Sequence, residues 1–454
     1  MFLNKIKRKL NSFFTKGHER TIVAKKNIAI SLFIKSLSIA INLLLVPMTI
    51  NYVNPTQYGI WLTLSSIVIW FGYFDIGLGN GLRNKFAEAK ATGNYNKAKI
   101  YVSTTYAALI IIFSSLWLIF YLANNFIDWA KVLNASPKMA DELSCLGLIV
   151  FSFFCLQMVF KIISTVFTAD QKPAKTALIN LLGQILTLLI IYILLEHTEG
   201  SLIYLSLALG FSPVFILIIS SIYFYNKDYY YYRPSLKYVK LSYVKDILSI
   251  GGGFFIIQVA VIIVYETNNL IIAHIGSPKD VTIFNIAYKY MSIVFMVFSI
   301  IMSPFWSAFT DAFTKSEYGW MKNTVKKLRI ISYFLMASLI LFLILAEYIY
   351  PIWIGDAVEI PFNITLVVGV YVATLIVLGA NNQILNGIGK IRVQILSYSF
   401  AMIFHIPLAL YLGDKLGITG VLISAIFFYI VICFFSIKQV NLLVSNRAKG
   451  IWNK

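Results

Sequence analysis

Charge is what this chain has least of. Only 13% of its 454 residues are charged, and the deficit is lopsided, with 19 Asp and Glu against 38 Lys and Arg. A water-exposed surface needs roughly 25% charge, so an ordinary soluble domain is excluded. Cysteine is nearly absent. Cys145, Cys155 and Cys433 lie in apolar runs without CxxC spacing or a neighbouring His, so neither a disulfide framework nor a metal site is indicated. Nucleotide-binding order is missing too: Gly77, Gly79 and Gly81 follow an apolar run rather than a strand, and Gly387-Ile388-Gly389-Lys390 lacks the Walker interval. No nucleophile-and-base pair or set of paired catalytic carboxylates occurs in the apolar runs, which argues against an intramembrane enzyme and gives no cofactor.

Apolar length is what is present. The hydrophobic fraction is 59% and the mean hydropathy +0.79, and twelve runs reach the length of about 20 residues that spans a bilayer. Those at 58–80, 143–168, 247–273 and 281–304 matter most below. The fold class expected is an all-α polytopic membrane protein. The basic residues are sorted by loop. Thirty-one of the 38 fall on one set of alternating segments, and four, Lys131, Lys138, Lys279 and Lys415, fall on the other. This is the positive-inside pattern, which places both termini in the cytoplasm. Basic charge spread over seven short juxtamembrane segments fits anionic lipid headgroups rather than nucleic acid. No outward loop exceeds roughly twenty residues.

The chain is internally duplicated. At an offset of 223 residues Pro55 pairs with Pro278, Ile60 with Ile283, Phe86 with Phe309, Ala89 with Ala312, Tyr95 with Tyr318 and Val102 with Val325. An offset near half the length points to two six-span lobes, residues 1–225 and 247–454, joined by a basic linker at 226–246. The linker is expected to include a basic helix burying Leu236, Val239 and Tyr243, and residues 2–14 have the spacing of an interfacial amphipathic helix.

Ionisable residues inside spans carry the chemical signal, because each costs about 2.5 to 3.5 kcal/mol at a helix centre. There are five: Lys35, Asp75, Lys161, Glu266 and Lys289. Ser31, Lys35, Ser38 and Asn42 follow i, i+4, i+7, i+11, as do Gln157, Lys161, Ser164 and Thr168, while Asn285, Lys289, Ser292, Ser299 and Ser303 form a longer stripe. Each reads as a polar face bearing a lysine. Together they fit an aqueous cavity with a cationic inner half for a phosphate or pyrophosphate headgroup, with Arg83 at its edge. The competing reading has each lysine snorkelling or neutralising an acid, Lys35 with Asp75. Glu266 and Lys289 are expected to pair. Asp75 and Glu266 are the two membrane carboxylates, hence candidates either for cation or proton coupling or for structural ion pairs. His405 reads as an interhelical hydrogen-bond partner rather than a proton relay.

Phe74-Asp75-Ile76-Gly77-Leu78-Gly79-Asn80-Gly81-Leu82-Arg83-Asn84-Lys85-Phe86-Ala87-Glu88-Ala89, the run Pro304-Phe305-Trp306-Ser307-Ala308-Phe309-Thr310-Asp311-Ala312, and Asn386-Gly387-Ile388-Gly389-Lys390-Ile391-Arg392 together resemble the polysaccharide biosynthesis family of bacterial flippases. These are the O-antigen and capsule repeat-unit flippases of the multidrug/oligosaccharidyl-lipid/polysaccharide exporter superfamily. The resemblance implies two six-helix lobes around a central cavity, alternating access, and an undecaprenyl-pyrophosphate-linked oligosaccharide as cargo. It also implies association with polysaccharide assembly proteins and a bacterial cytoplasmic membrane, and proton or sodium coupling occurs in the superfamily. Lys35 and Lys161 occupy places suited to the anionic headgroup, with Asn42, Gln157, Arg83 and Lys289 as further substrate-binding candidates. The alternatives are a drug/cation antiporter of the same superfamily, or a polymerase or ligase acting on the same glycans.

Overall fold

The computed structural model describes residues 19–72, 77–170, 172–248, 252–302 and 305–453. Every regular element among them is helical. The expected interfacial helix at 2–14 and Asp75 lie outside the described residues. The first half contains α1 (Glu19–Val53), α2 (Pro55–Trp70), α3 (Leu78–Ala91), α4 (Tyr95–Asn124), α5 (Ala140–Phe160), α6 (Ile162–Ala169), α7 (Pro173–His197) and α8 (Leu202–Asn226). After the linker come α9 (Tyr243–Leu248), α10 (Gly252–Tyr265), α11 (Thr267–Ile275), α12 (Pro278–Met302), α13 (Phe305–Thr314), α14 (Tyr318–Ile354), α15 (Phe362–Ile388), α16 (Arg392–Leu416) and α17 (Ile418–Val444).

Ten helices among the described residues are long and apolar enough to cross a membrane, which makes this a multi-pass membrane protein. The two other expected spans are interrupted. The run at 58–80 stops as a helix at Trp70, and Gly79 and Gly81 lie inside α3 rather than at the end of a span. Gly77, with a left-handed φ of 80° that a residue with a Cβ resists, stands just before α3 as its N-cap. The run at 247–273 breaks at Glu266, between α10 and α11. Glu266 itself keeps right-handed helical backbone angles and its N–H donates to the Ile262 carbonyl (2.7 Å), so this is a local distortion rather than a change of direction.

The duplication holds in three dimensions. Pro55 and Pro278 open α2 and α12, and Tyr95 and Tyr318 open α4 and α14. Phe86 and Phe309 are both fully buried, as are Ala89 and Ala312 nearly so. Packing repeats as well: α1 lies on α7, α7 on α8, α8 on α5 and α5 on α4, and in the second half α10 lies on α16, α16 on α17, α17 on α15 and α15 on α14. Small residues allow close approach where lipid supplies no hydrophobic drive; a Cβ on Gly183 would sit 3.3 Å from the backbone of Pro213.

The linker differs from expectation. Its first part forms single turns at Tyr230–Tyr232 and Leu236–Tyr238, with Leu236 90% exposed, and only α9 is helical. No amphipathic face forms because the Ser235 N–H donates to the Ser103 hydroxyl (3.0 Å) and the Lys240 N–H to Thr104 (3.0 Å), tying the backbone to α4 instead of to itself. α9 then packs on α3, where a Cβ at Gly81 would lie 2.0 Å from the Ile247 carbonyl oxygen. Asp170, after α6, accepts from Lys90 of α3, from Lys172 (2.7 Å) and from the Tyr229 hydroxyl (2.8 Å). Burial pushes its carboxyl upward, but the bonds from Lys172, Lys90 and Tyr229 outweigh that and hold it below the usual carboxylate value.

Candidate translocation site

Among the described residues, the hydrogen bonds between the halves gather at one end. Five hydrogen bonds join residues 19–225 to residues 252–453 among those described: Asn134 to the carbonyls of Ala273 (2.9 Å) and Gly276 (2.8 Å), Thr282 to that of Pro55 (2.6 Å), Trp353 to that of Leu43 (2.8 Å), and Lys289 to the Tyr58 hydroxyl (2.7 Å). Four of the five engage α2, α12 or the segments leading into them at the lysine-poor side, and the fifth comes from the end of α14 at that same side. The helices in the middle of this contact, α2 and α12, are each other's repeat equivalents, so the seam lies on the pseudo-symmetry axis. At its tightest point a Cβ on Gly59 would fall 1.6 Å from the Pro278 carbonyl oxygen.

Of the three lysine stripes, only parts face open space. On α1 the residues are separated by about 100° each, which sets Ser38 about 60° away from Lys35 and towards α7. There Ser38 bonds Gln184, between Ile34, Ile41 and Leu181. Lys35 and Asn42 are exposed. The opposite side of the same helix exposes Phe33 (71%), Leu37 (39%) and Leu44 (54%), which suits lipid. α1 is therefore two-faced, apolar towards one environment and polar towards the other.

On the fourth span Lys161 joins α5 to α6, keeping helical backbone angles with its N–H donating to the Gln157 carbonyl (2.9 Å). Lys161 is exposed and Gln157 half-buried. Thr168 and Thr176 of α7 both donate to the Ser164 carbonyl (2.9 and 3.1 Å), so the lower half of this stripe is spent on packing rather than on a cavity. α6 packs on α3, which carries exposed Arg83, so the supports of Lys161 and Arg83 are neighbours.

The third stripe is a structural seam. Asn285 donates to Asn269 (2.8 Å), Ser292 and Ser299 bond their own helix, and Lys289 reaches Tyr58 with its ammonium 5.4 Å from the ring centre. Lys289 therefore does not pair with Glu266, contrary to the expectation from their similar depth. The Tyr58 hydroxyl captures it from the other half. Glu266 is half-buried at the α10–α11 break and forms no ion pair among the described residues. His405 is buried between Ser424 (3.2 Å) and Asn268 (3.3 Å), joining α16 to α17 and α11 as an interhelical partner. Sequence reasoning missed Tyr58, Gly59, Asn134 and Trp353. The aligned prolines at 55 and 278 were the one available signal.

Comparison with solved structures gives the architecture. An inward-facing multidrug resistance MATE family transporter of the MOP superfamily matches with TM-score 0.77 at 13% identity, over 93% of this chain and 100% of that one. An outward-facing MATE family transporter of the same superfamily matches with TM-score 0.66 at 14% identity, over 96% and 98%. Among curated proteins, a Salmonella typhi protein named "Putative O-antigen transporter" is 23% identical over 432 residues, 92% of this chain and 96% of its own. A Yersinia pseudotuberculosis protein named for O-antigen export is 20% identical over 87% of this chain and 89% of its own. The chain has the fold of the MATE family transporters and is similar over nearly its whole length to proteins named for O-antigen transport and export. No family model matches the chain. The chain has the two-lobed fold of the solved structures, with its lobes meeting across α2 and α12.

Proposed function

We propose that this transporter is a flippase that carries an undecaprenyl-pyrophosphate-linked oligosaccharide repeat unit across the bacterial cytoplasmic membrane by alternating access. In this reading the basic loops and both termini are cytoplasmic, the lobes are residues 1–225 and 247–454 with 226–246 as linker, and the seam at Tyr58 and Lys289 closes the outer side. The state described is then open to the cytoplasm, where the cargo is loaded. Lys35 and Lys161 receive the pyrophosphate, Asn42 and Gln157 offer hydrogen bonds beside them, and Arg83 meets the headgroup on entry. Asp75 and Glu266 are the candidates for proton or sodium coupling.

The observation that carries the reading is the two-faced α1, whose exposed Lys35 and Asn42 back onto an apolar face. A cation-exporting relative would attract its cargo with acids, whereas the exposed membrane charges among the described residues are the lysines Lys35 and Lys161. The solved relatives are multidrug transporters, so a drug/cation antiporter is the second reading. Flipping of purified lipid-linked oligosaccharide in vesicles separates the two. The wild type is expected to flip it, Lys161→Ala to be impaired and Lys161→Arg to retain part of the rate. Equal rates for wild type and Lys161→Ala would sink the cationic-site assignment.

A further inference from the structure

The basic segment after α8 packs as part of the first lobe. A boundary between moving bodies falls where few contacts cross the chain, and residues 226–248 are bound to the first lobe along their length. Tyr229, Tyr232 and Ile247 are 1%, 6% and 1% exposed, buried in the apolar core that α2 to α8 build. Among the described residues that core holds none from 252 onward, and the core that includes the second lobe holds none from 226–248. The turn at Tyr230–Tyr232 packs on α4 and α8, the turn at Leu236–Tyr238 on α4, and α9 on α3 and α4. Asp228 accepts from Lys175 of α7 (2.6 Å), and the Tyr232 ring meets Phe86 of α3 edge-on at 4.9 Å. Lys99 of α4 lies 4.4 Å over the Tyr238 ring, and the Tyr243 ring stands 5.5 Å from that of Tyr101. With the backbone bonds to Ser103 and Thr104, anchors recur every few residues from Asp228 to Ile247.

The second lobe ends in the same way. After α17 the chain turns back at Gly450–Asn453 onto α16 and α17, where Gln439 donates to the Trp452 carbonyl (3.2 Å) and Lys438 lies 4.9 Å over the Trp452 ring. At the repeat offset of 223 residues Trp452 is the equivalent of Tyr229, over whose ring Lys172 lies at 5.5 Å. Each repeat therefore closes with an aromatic fold-back on its own lobe, and the first repeat carries its fold-back on into α9. We propose that residues 226–248 are a strap of the first lobe that moves with it as one rigid body, so that the boundary between the moving bodies lies beyond Leu248 rather than at 226–246. The strap keeps α3, the carrier of Arg83, seated on α4 whichever way one repeat rocks against the other. It rests on the alternating access proposed above and on nothing about the cargo.

Spin-label distances in the full chain, reconstituted in liposomes without its three cysteines, test this. The labels replace three exposed lysines: Lys138 in the first lobe, Lys237 in the strap and Lys415 in the second lobe. Each pair is measured with the seam intact and in Gly59→Val, where the added side chain keeps the seam apart. The 138/237 distance is expected to stay the same in both and to have the narrowest distribution, while 237/415 and 138/415 shift together. A static 138/415 pair would overturn the rocking and the proposal with it. A 138/415 pair that moves together with a shifting 138/237 distance would overturn the strap alone. Independently of the Gly59 variant, a Ser103→Cys/Ser235→Cys disulfide should form in the membrane and leave flipping at the wild-type rate. Arrest of flipping that reductant reverses would show that the segment has to leave the first lobe, and would overturn the proposal.

Discussion

Lys289 of the second lobe donates to the hydroxyl of Tyr58 in the first, 2.7 Å across the seam between the two repeats. Tyr58 is 2% exposed and stacks on Trp61 at 6.2 Å, so its hydroxyl is held in place for the lysine. A hydrogen bond to a charged group contributes about 1.5 to 3 kcal/mol, which is enough to bias a two-state equilibrium by roughly tenfold or more. Tyr58→Phe is expected to shift the population towards the state open at this end. Spin labels or cysteine accessibility flanking residues 55 and 278 measure that shift, and an unchanged distribution would remove the bond from the gating equilibrium.

Gly59 makes the same seam possible by geometry rather than charge. A side chain there meets the Pro278 carbonyl at 1.6 Å, and backbone on the far side leaves no flexible group to move aside. Gly59→Val should hold the seam apart, abolish transport and leave the lysine-poor end accessible to thiol reagents. Transport at the wild-type rate in this variant would show that the close approach is not needed in the cycle.

Lys35 and Phe33 lie on opposite faces of α1, which gives a paired test of which face meets cargo. Lys35→Ala should lower flipping by about tenfold, and Phe33→Ala, a change on the apolar face, should lower it little. Vesicle flipping rates for both variants decide it. Equal losses would mean that the polar face has no privileged role.

Asp170 ties α3, the α6–α7 corner and the linker together through Lys90, Lys172 and Tyr229. Its carboxyl is held below the ordinary value of 3.8, so its contribution is complete above pH 3.8 and is lost as pH falls through the lower, folded-state value. Asp170→Asn should lower the melting temperature at neutral pH, and the gap from wild type should close as the solution is made more acid than that. A gap that persists unchanged in acid would show that the ion pairs do not stabilise the fold.

Most of the fold is legible in the sequence, for a simple reason. Bilayer-spanning helices must satisfy their backbone internally, so apolar run length reads out the elements, and a repeat without gaps, anchored on Pro55 and Pro278, reads out the lobes. The left-handed Gly77 and the distortion at Glu266 are not legible there, because mean apolarity does not register local backbone geometry.

The candidate site is legible by residue type and not by partner. Helical spacing places Lys35, Ser38 and Asn42 on one stripe, yet α7 claims Ser38 and leaves the other two exposed, a division made by about 60° of rotation. Depth places Lys289 beside Glu266, and a tyrosine 231 positions away takes it instead. The sequence by itself determined the class of protein, the number of repeats and the basic end, because these follow from apolar length and loop charge, which are local sums. Only the tertiary structure decided which side chains pair across the two halves and which polar residues of the stripes stay exposed, because a side chain's nearest partner depends on how distant helices pack.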